Sequence, residues 1–337
     1  MTYSILKTIG VASVTATMFM GTMAVGGERA PFDLSKTTIS PEAAAKMLAA
    51  GLSLPLASET VCIIMPPFNF IGVDDQGLNN SRFFKMNLTV PQNDPQFLAT
   101  FGGLHKGYDI EALDSTDPMQ NAPNDDGSLW SCLYLASGDN DGGNPDCNTG
   151  CLYYLDKGNA DLSLFGDICT IDKDLLEVDA LAFRYNPSLG WEEIWGWSQP
   201  DGLFKITSPF PVEGSTLCGD NREAVEAEMV CEMPNLAVED MTWVEKEGVF
   251  YVANRKTIYK LDPDTCNYEK VCKNAHEVEA LEYIPISETL NLLVMGFHKA
   301  GHPIAAIQLP PIPPNEDCDL LSSTFPTGAD VEGLAYP

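Results

Sequence analysis

A short pattern recurs five times along the chain and constrains the fold more than any other feature. Each copy reads apolar, carboxylate, usually a small residue, then a large apolar residue. The copies are YDIEALDS from Tyr108, LEVDALAF from Leu176, LAVEDMTW from Leu236, HEVEALEY from His276 and ADVEGLAY from Ala329. Their carboxylates lie 68, 60, 40 and 53 residues apart, near the length of a four-stranded propeller blade.

Each segment has the alternation of a β-strand. Large apolar residues follow the carboxylate at the second and fourth places, as Leu281 and Tyr283 do, and would pack between blades. The residue directly after the carboxylate is small in four copies, and Asp240 is the exception. Because space is tightest near a propeller axis, we predict that each segment forms the innermost strand of a blade.

Short β-type runs follow the first four segments, whereas ADVEGLAY stands at the end of the chain with none behind it. TVCIIMP (60–66), RFFKMNL (82–88) and FLATFGG (97–103) could supply its missing partners. Pairing the C-terminal strand with the N-terminal blade would close the ring and remove exposed sheet edges. We therefore predict an all-β fold, a β-propeller of five blades, or of six if the interval 111–179 holds a further one.

The chain begins with a weakly apolar stretch. Residues 1–26 are typical of a cleaved signal peptide, and a membrane anchor is the alternative. Residues 27–58 are predicted to form an extension with one short helix, N-capped by Ser40 with Pro41 at its first position. Residues 59–337 would form a single propeller domain. We expect a secreted or periplasmic monomer with no stable membrane insertion after cleavage.

Ten cysteines follow the predicted signal peptide, and an even number in an exported chain indicates disulfides. Pairs close in sequence are candidates, although connectivity cannot be deduced from spacing. No CxxC spacing occurs, which argues against a zinc or thioredoxin-type site. The candidate pairs are Cys147–Cys151, Cys218–Cys231 and Cys266–Cys272.

The formal net charge of the chain is −29. Such a surface repels nucleic acid and anionic lipid and attracts cations, although it could also serve only solubility. Radial symmetry would bring the five repeated carboxylates to one mouth of the central channel. Like charges in that position raise each other's pKa unless a cation lies among them, and carboxylate oxygens suit calcium. The predicted calcium ligands are Glu111, Asp179, Glu239, Glu279 and Glu332.

These carboxylates have an alternative, structural role. An acid at the start of a strand can accept backbone N–H bonds from the neighbouring blade and recur because the blade recurs. Sequence alone leaves both roles open.

The loops between the second and third strands of each blade should lie at the same mouth. They bring cationic and polar groups beside the acidic ring, which suits a small anionic ligand, although loop tips are often only solvated. The predicted ligand-binding residues are Asp139, Asn140, Asp141, Arg255, Lys256, His298, Lys299 and His302.

WEEIWGW places Trp191, Trp195 and Trp197 on one strand face. Packing between blades is one role for them, and stacking on a sugar of a bound glycan is the other. No GxSxG elbow or P-loop occurs in the chain, and no catalytic residue is identified.

The closing DVEGLAY and its four echoes resemble segments of calcium-binding propellers. In plan, the chain resembles the soluble calcium-activated nucleotidase (apyrase) family and, more loosely, phytase-like esterase propellers. The resemblance implies calcium in the channel and a calcium-dependent phosphoester or anhydride hydrolase, but the nucleotide-handling bases of the apyrases have no match here. Three functions remain open: a calcium-holding structural or ligand-binding module, a metal-dependent phosphoesterase, and a glycan-binding module.

Overall fold

A computed structural model describes residues 69–77, 79–87, 97–115, 134–139, 150–156, 159–170, 174–175, 177–186, 188, 191–207, 224–285, 291–298, 303–309, 316–320, 325–326 and 329–336. The predicted signal peptide, the extension with its helix, and TVCIIMP lie outside these residues. Within the part described, no helix has the length and apolar character needed to cross a bilayer.

The described residues form antiparallel strands that group into four-stranded meanders. Blade 1 consists of β20 (Val331–Ala335), β1 (Asn69–Asp75), β2 (Asn80–Asn87) and β3 (Leu98–Lys106). Blade 2 consists of β4 (Asp109–Ser115), β5 (Tyr134–Asp139), β6 (Cys151–Leu155) and β7 (Leu162–Cys169). Blade 3 consists of β8 (Glu177–Asn186), β9 (Trp191–Gln199), β10 (Gly202–Ile206) and β11 (Ala224–Glu232). Blade 4 consists of β12 (Asp240–Val244), β13 (Val249–Asn254), β14 (Thr257–Leu261) and β15 (Tyr268–Lys273). Blade 5 consists of β16 (Val278–Pro285), β17 (Asn291–Phe297), β18 (Pro303–Leu309) and β19 (Phe325–Pro326).

The first strand of each meander carries one copy of the repeated segment, and these strands form a closed ring. In order, β20 contacts β4, β4 contacts β8, β8 contacts β12, β12 contacts β16, and β16 contacts β20. This contact pattern is that of a β-propeller, so the predicted fold class is confirmed. Within the long interval 111–179, the described strands belong to a single meander.

The C-terminal strand completes the N-terminal blade, as the lone ADVEGLAY segment predicted. β20 pairs antiparallel with β1, and β2 and β3 follow. The strand that pairs with β20 is β1, which was not among the predicted partner strands, and TVCIIMP lies outside the described residues. Phe70, Ile71 and Val73 make β1 apolar enough for this buried position, where all three are fully inaccessible.

The core lies between blades. Leu113, Leu181, Met241, Leu281 and Leu334, which share one place in the repeated segment, are each about 1% exposed. Crowding near the axis is also observed: a Cβ atom on Gly333 would lie 2.7 Å from the backbone nitrogen of Leu113 in the next blade.

Neighbouring blades are joined at their outer edges as well. β7 and β11 pair in parallel and connect blades 2 and 3. The Cys231–Cys266 disulfide connects β11 with the β14–β15 turn of blade 4, and the Cys272–Cys318 disulfide connects β15 with a segment that follows β18. Cys151 and Cys169 are also in disulfides.

The predictions Cys218–Cys231 and Cys266–Cys272 were therefore wrong. The outer strand of one blade lies against a turn of the next, so the nearest cysteine in space is not the nearest in sequence. Cys147 lies outside the described residues, which leaves the Cys147–Cys151 pair a prediction.

Candidate metal centre

A β-bulge lies at the repeated carboxylate of the inner strands. In β4, Ile110 pairs with Gly138 and Ala112 with Ser137, so that Glu111 is the extra residue of the ladder. The same register shift occurs at the equivalent carboxylates of three other blades: Asp179 in β8, Glu279 in β16 and Glu332 in β20. In blade 4, both Glu239 and Asp240 face Ala253.

The bulge explains the pattern of the repeated segment. In a regular strand, a carboxylate and the leucine two places after it would share one face, and that leucine is buried. One extra residue shifts the alternation, so the carboxylate no longer has to enter the core between blades. Bulges commonly re-aim a side chain in this way beside functional sites.

Four side chains converge at the channel mouth. Glu279 comes from β16, His298 directly follows β17, Asp330 directly precedes β20, and Glu332 lies on β20. Each offers one ligand atom, and these four atoms lie within 4.8 Å of one another. The Nδ1 atom of His298 lies 2.6 Å from Oε1 of Glu279 and 3.7 Å from Oδ1 of Asp330.

Backbone contacts hold this cluster in position. The N–H of His298 donates to the carbonyl of Glu277, just before β16, over 3.1 Å. The N–H of Asp330 donates to Oδ1 of Asp74 on β1 over 3.0 Å. The cluster is thus built on the ends of paired strands, which position ligands more precisely than free loops do.

The electrostatics of the mouth reflect several carboxylates brought close together. Burial raises the pKa of Glu279 to about 7, while the charge of His298 opposes the rise and the charges of Asp330 and Glu239 add to it. Burial raises the pKa of Glu332 well above its usual value, and the charges of Glu111 and Glu279 raise it further. A bound cation would relieve the same repulsion.

Four of the five predicted calcium ligands therefore share one electrostatic neighbourhood. We call Glu111, Glu239, Glu279 and Glu332 the mouth acids. Burial also raises the pKa of Glu239, against the charge of Arg255. Asp179 differs from them because its side chain is about 93% buried and is not among the main charges acting on the others.

The predicted ligand-binding residues are described only in part. Arg255 and Lys256 form the exposed turn between β13 and β14, and the carbonyl of Arg255 accepts the N–H of Val278 at the start of β16. His298 belongs to the cluster itself. Asp139 ends β5 opposite Asp109, but its side chain lies outside the description. Asn140, Asp141, Lys299 and His302 also lie outside it.

Sequence reasoning missed Asp330 and missed His298 as a metal ligand. Asp330 stands two places before Glu332 in ADVEGLAY, and Asp109, Glu177 and Glu277 occupy the same place in three other copies. That second acid was a usable signal, because it recurs in four of the five copies and is therefore part of the repeat.

A second set of carboxylates, also missed, lies farther along the inner strands. Asp114 accepts the N–H of Phe183 on the next inner strand over 2.7 Å. Asp240 accepts the N–H of Leu281 over 2.7 Å. Glu282 accepts the N–H of Tyr336 over 3.2 Å. We call Asp114, Asp240 and Glu282 the bonded acids, since each accepts a backbone hydrogen bond from the neighbouring blade.

The seventh place of the repeated segment carries most of these bonds. Asp114, Thr242 and Glu282 occupy it, and each accepts the N–H of the eighth residue in the next copy. Alanine stands there in the other two copies, which left the polar recurrence inconspicuous in the sequence.

Among the bonded acids, Asp240 and Glu282 are buried and Asp114 is half-buried, and the pKa values of all three are raised. Burial raises the pKa of Asp114 to about 7, although N–H bonds from Ser115 and Phe183 oppose the rise. Burial also raises the pKa of Asp240 and Glu282 well above their usual values, and the charge of Asp114 adds to both. These three carboxyls therefore bind protons more tightly in the folded chain than in the unfolded chain.

The tryptophans of WEEIWGW serve the core where they are described. Trp197 is fully buried and Trp195 is 4% exposed, in one apolar cluster with Phe250 and Val252 of blade 4. Neither indole face is available for stacking on a sugar. The side chain of Trp191 lies outside the description.

No protein-family profile matches the chain, and no curated protein does. Among solved structures, a chain of a nidogen/laminin complex is 12% identical, with a TM-score of 0.41, over 79% of this chain and 97% of that one. A structural-genomics protein of unknown function from Bacteroides thetaiotaomicron is 9% identical, with a TM-score of 0.34, over 80% and 85%.

Proposed function

We propose that this chain is an exported, ligand-binding β-propeller that holds a divalent cation at one mouth of its channel. The observation that carries the proposal is the convergence of Glu279, His298, Asp330 and Glu332, whose ligand atoms lie within 4.8 Å of one another. Disulfides between blades support export, since such bonds persist in oxidising compartments.

The set of donor atoms bears on which cation would bind. Three carboxylates suit calcium, which the sequence predicts, but calcium prefers oxygen ligands and His298 offers an imidazole nitrogen. Zn²⁺ and Mn²⁺ accept carboxylate oxygen, and imidazole is a common ligand of Zn²⁺. We therefore propose a cation of the Zn²⁺ or Mn²⁺ type, with calcium as the competing occupant.

The cation would act here through charge and position. It would neutralise the repulsion between Glu279 and Glu332, and it would tie β16 to β20, the strand that closes the ring. It would also present a positive centre near Arg255, which suits a small anionic ligand. Phosphoester hydrolysis, implied by the resemblance to apyrases, remains a prediction.

The test is thermal unfolding of chelator-treated protein with Zn²⁺, Mn²⁺, Ca²⁺ or Mg²⁺ added back. A ligand that binds only the folded state raises its stability by mass action. We expect Zn²⁺ or Mn²⁺ to raise Tm in the wild type, and we expect H298Q and E279Q to lose that rise. The matched control is H276Q, which replaces an exposed histidine that precedes β16, the strand that carries Glu279.

Two results would contradict the proposal. Equal Tm values with and without every cation would remove the metal centre altogether. A calcium-specific rise that survives H298Q would remove the imidazole from the ligand set and restore the purely carboxylate site that the sequence predicts.

A further inference from the structure

A groove of about 420 Å³ lies between blades 3 and 4, away from the metal centre. Its walls come from the end of β8, from β9 to β11, and from the turn between β14 and β15. Arg184 lies on β8 five residues past Asp179, which stands near the start of that strand. The groove has the size of a small-molecule site.

Arg184 presents an unused set of hydrogen-bond donors in this groove. Its guanidinium lies 4.6 Å from the ring centroid of Trp243 and 5.4 Å from that of Trp195. Within the described residues it makes no hydrogen bond and no ion pair, although its charge acts on that of Asp262 in the β14–β15 turn. The two indoles hold the planar group in place by cation–π attraction, which leaves its N–H fork available for a carboxylate.

Trp195 lines the same groove and supplies a second donor. Its side chain is 4% exposed, and its indole Nε1 is buried without an acceptor in the described part of the chain. A buried N–H without a partner lowers the stability of the folded chain. A ligand oxygen that reached this N–H would recover part of that cost.

The remaining charges of the groove are mostly acidic. Lys205 lies 3.7 Å from Glu193, so that these two largely neutralise each other. Glu228 on β11 and Asp264 in the β14–β15 turn are exposed and line the groove as well. A ligand that carried only negative charge would meet repulsion from them, whereas one with an ammonium group would be attracted.

We propose that this groove binds a zwitterionic ligand of the amino-acid type. The carboxylate would be held by the guanidinium of Arg184 and by the indole N–H of Trp195. The ammonium would face Glu228 and Asp264. Met229 and Pro263, which also line the groove, would contact an apolar side chain of the ligand. The proposal is independent of the metal centre.

The test is calorimetric titration of the full chain with L-leucine, L-methionine and L-phenylalanine. N-acetyl-L-leucine lacks the ammonium and L-leucinamide lacks the carboxylate, and we expect each to bind at least about tenfold more weakly than L-leucine, since a charge-assisted bond is lost. R184K keeps the charge but not the fork, and we expect a similar loss. R82K, on β2 of blade 1, should bind as the wild type does.

A second variant guards against misfolding of R184K. The double variant E228Q/D264N alters two exposed side chains. We expect this variant to bind L-leucine no more tightly than it binds N-acetyl-L-leucine. The proposal is overturned if none of the three amino acids binds. It is also overturned if both blocked forms bind as tightly as L-leucine, or if R184K and R82K have equal affinities.

Discussion

The mouth acids and the bonded acids lie on the same inner strands but differ in what their oxygens contact. Asp114, Asp240 and Glu282 accept backbone N–H bonds from the neighbouring blade. At the mouth, Oε2 of Glu279 is buried and accepts no hydrogen bond from the described residues, while Oε1 faces His298. A carboxylate that accepts N–H bonds from the next blade links the two blades. A carboxylate that lies among other ligand atoms is instead suited to binding a cation.

The difference bears on the two roles that the sequence left open. An acid bonded to the next blade was the structural alternative for the repeated carboxylate. Such bonds to the next blade do occur. Most of them are accepted by the seventh residue of the repeated segment, three places after the repeated carboxylate. In blade 4 the mouth acid Glu239 and the bonded acid Asp240 are adjacent, and the bond from Leu281 to Asp240 explains why Asp240 is the exception to the small residue of the repeat.

The largest effect should come from removing a bonded acid. D240A leaves the N–H groups of Met241 and Leu281 without their acceptor near the axis. We expect the free energy of unfolding to fall by about 2–4 kcal/mol. D240N retains an acceptor oxygen for one of the two N–H groups, which Asp240 accepts on different oxygens, so it should lose less than D240A. Urea unfolding of both variants at pH 7.5 measures the difference, and equal losses would contradict the hydrogen-bonding role.

The pH dependence of stability should come next in size. The pKa of Asp114 is about 7 in the folded chain and near the ordinary value of 3.8 in the unfolded chain, so the folded state binds the proton more tightly. Stability should therefore rise as pH falls from about 8 towards 4. D114N should flatten this dependence. Melting curves of chelator-treated protein across that range measure it, and a stability that falls throughout would contradict the assignment.

Removing a mouth acid should change the free energy of unfolding in the opposite direction from removing a bonded acid. In metal-free protein, E332Q removes a carboxylate whose neighbours include Glu111 and Glu279, so we expect a gain of about 1 kcal/mol in the free energy of unfolding. The same variant should gain less than the wild type from added Zn²⁺ or Mn²⁺. Melting curves with and without cation measure both effects, and a loss in metal-free protein would assign Glu332 a structural role.

The smallest effect should come from removing the hydroxyl of Thr242, the one neutral acceptor at the seventh place of the repeated segment. T242V removes the hydroxyl that accepts the N–H of Tyr283 over 3.2 Å, at nearly constant volume. We expect a loss of about 1 kcal/mol with no change in pH dependence, since no charge is involved. Urea unfolding at pH 5 and pH 8 measures both, and a loss that depends on pH would mean that the substitution disturbs the acids nearby.

Much of the fold could be predicted because the repeated segment encodes it locally. Alternating apolar residues mark a strand, and an unpaired copy at the end of the chain requires a partner at the beginning. The bulges were not predicted, although a carboxylate that shares a strand face with Leu281 is a local conflict that a shift of register resolves. The disulfides could not be predicted, because Cys231 and Cys266 meet only when blades are placed side by side.

The candidate site was predictable only in part, for a related reason. The repeat identifies residues that are equivalent in every blade, so it pointed to Glu279 and Glu332. His298 comes from a single blade, and Asp330 joins the cluster only through the junction between β16, β17 and β20, although three other copies carry an acid at its place. The groove at Arg184 could not be predicted for the same reason, because the two indoles that contact Arg184 come from different blades.

Counting bound cations by equilibrium dialysis would test the contrast between the two sets of acids most directly. The samples would be wild type, E279Q and D114N, each equilibrated with Zn²⁺ or Mn²⁺ after chelation. We predict a cation bound at the mouth of wild type and of D114N, and none at that site in E279Q. Binding that E279Q retains and D114N loses would place the cation among the bonded acids and contradict the account.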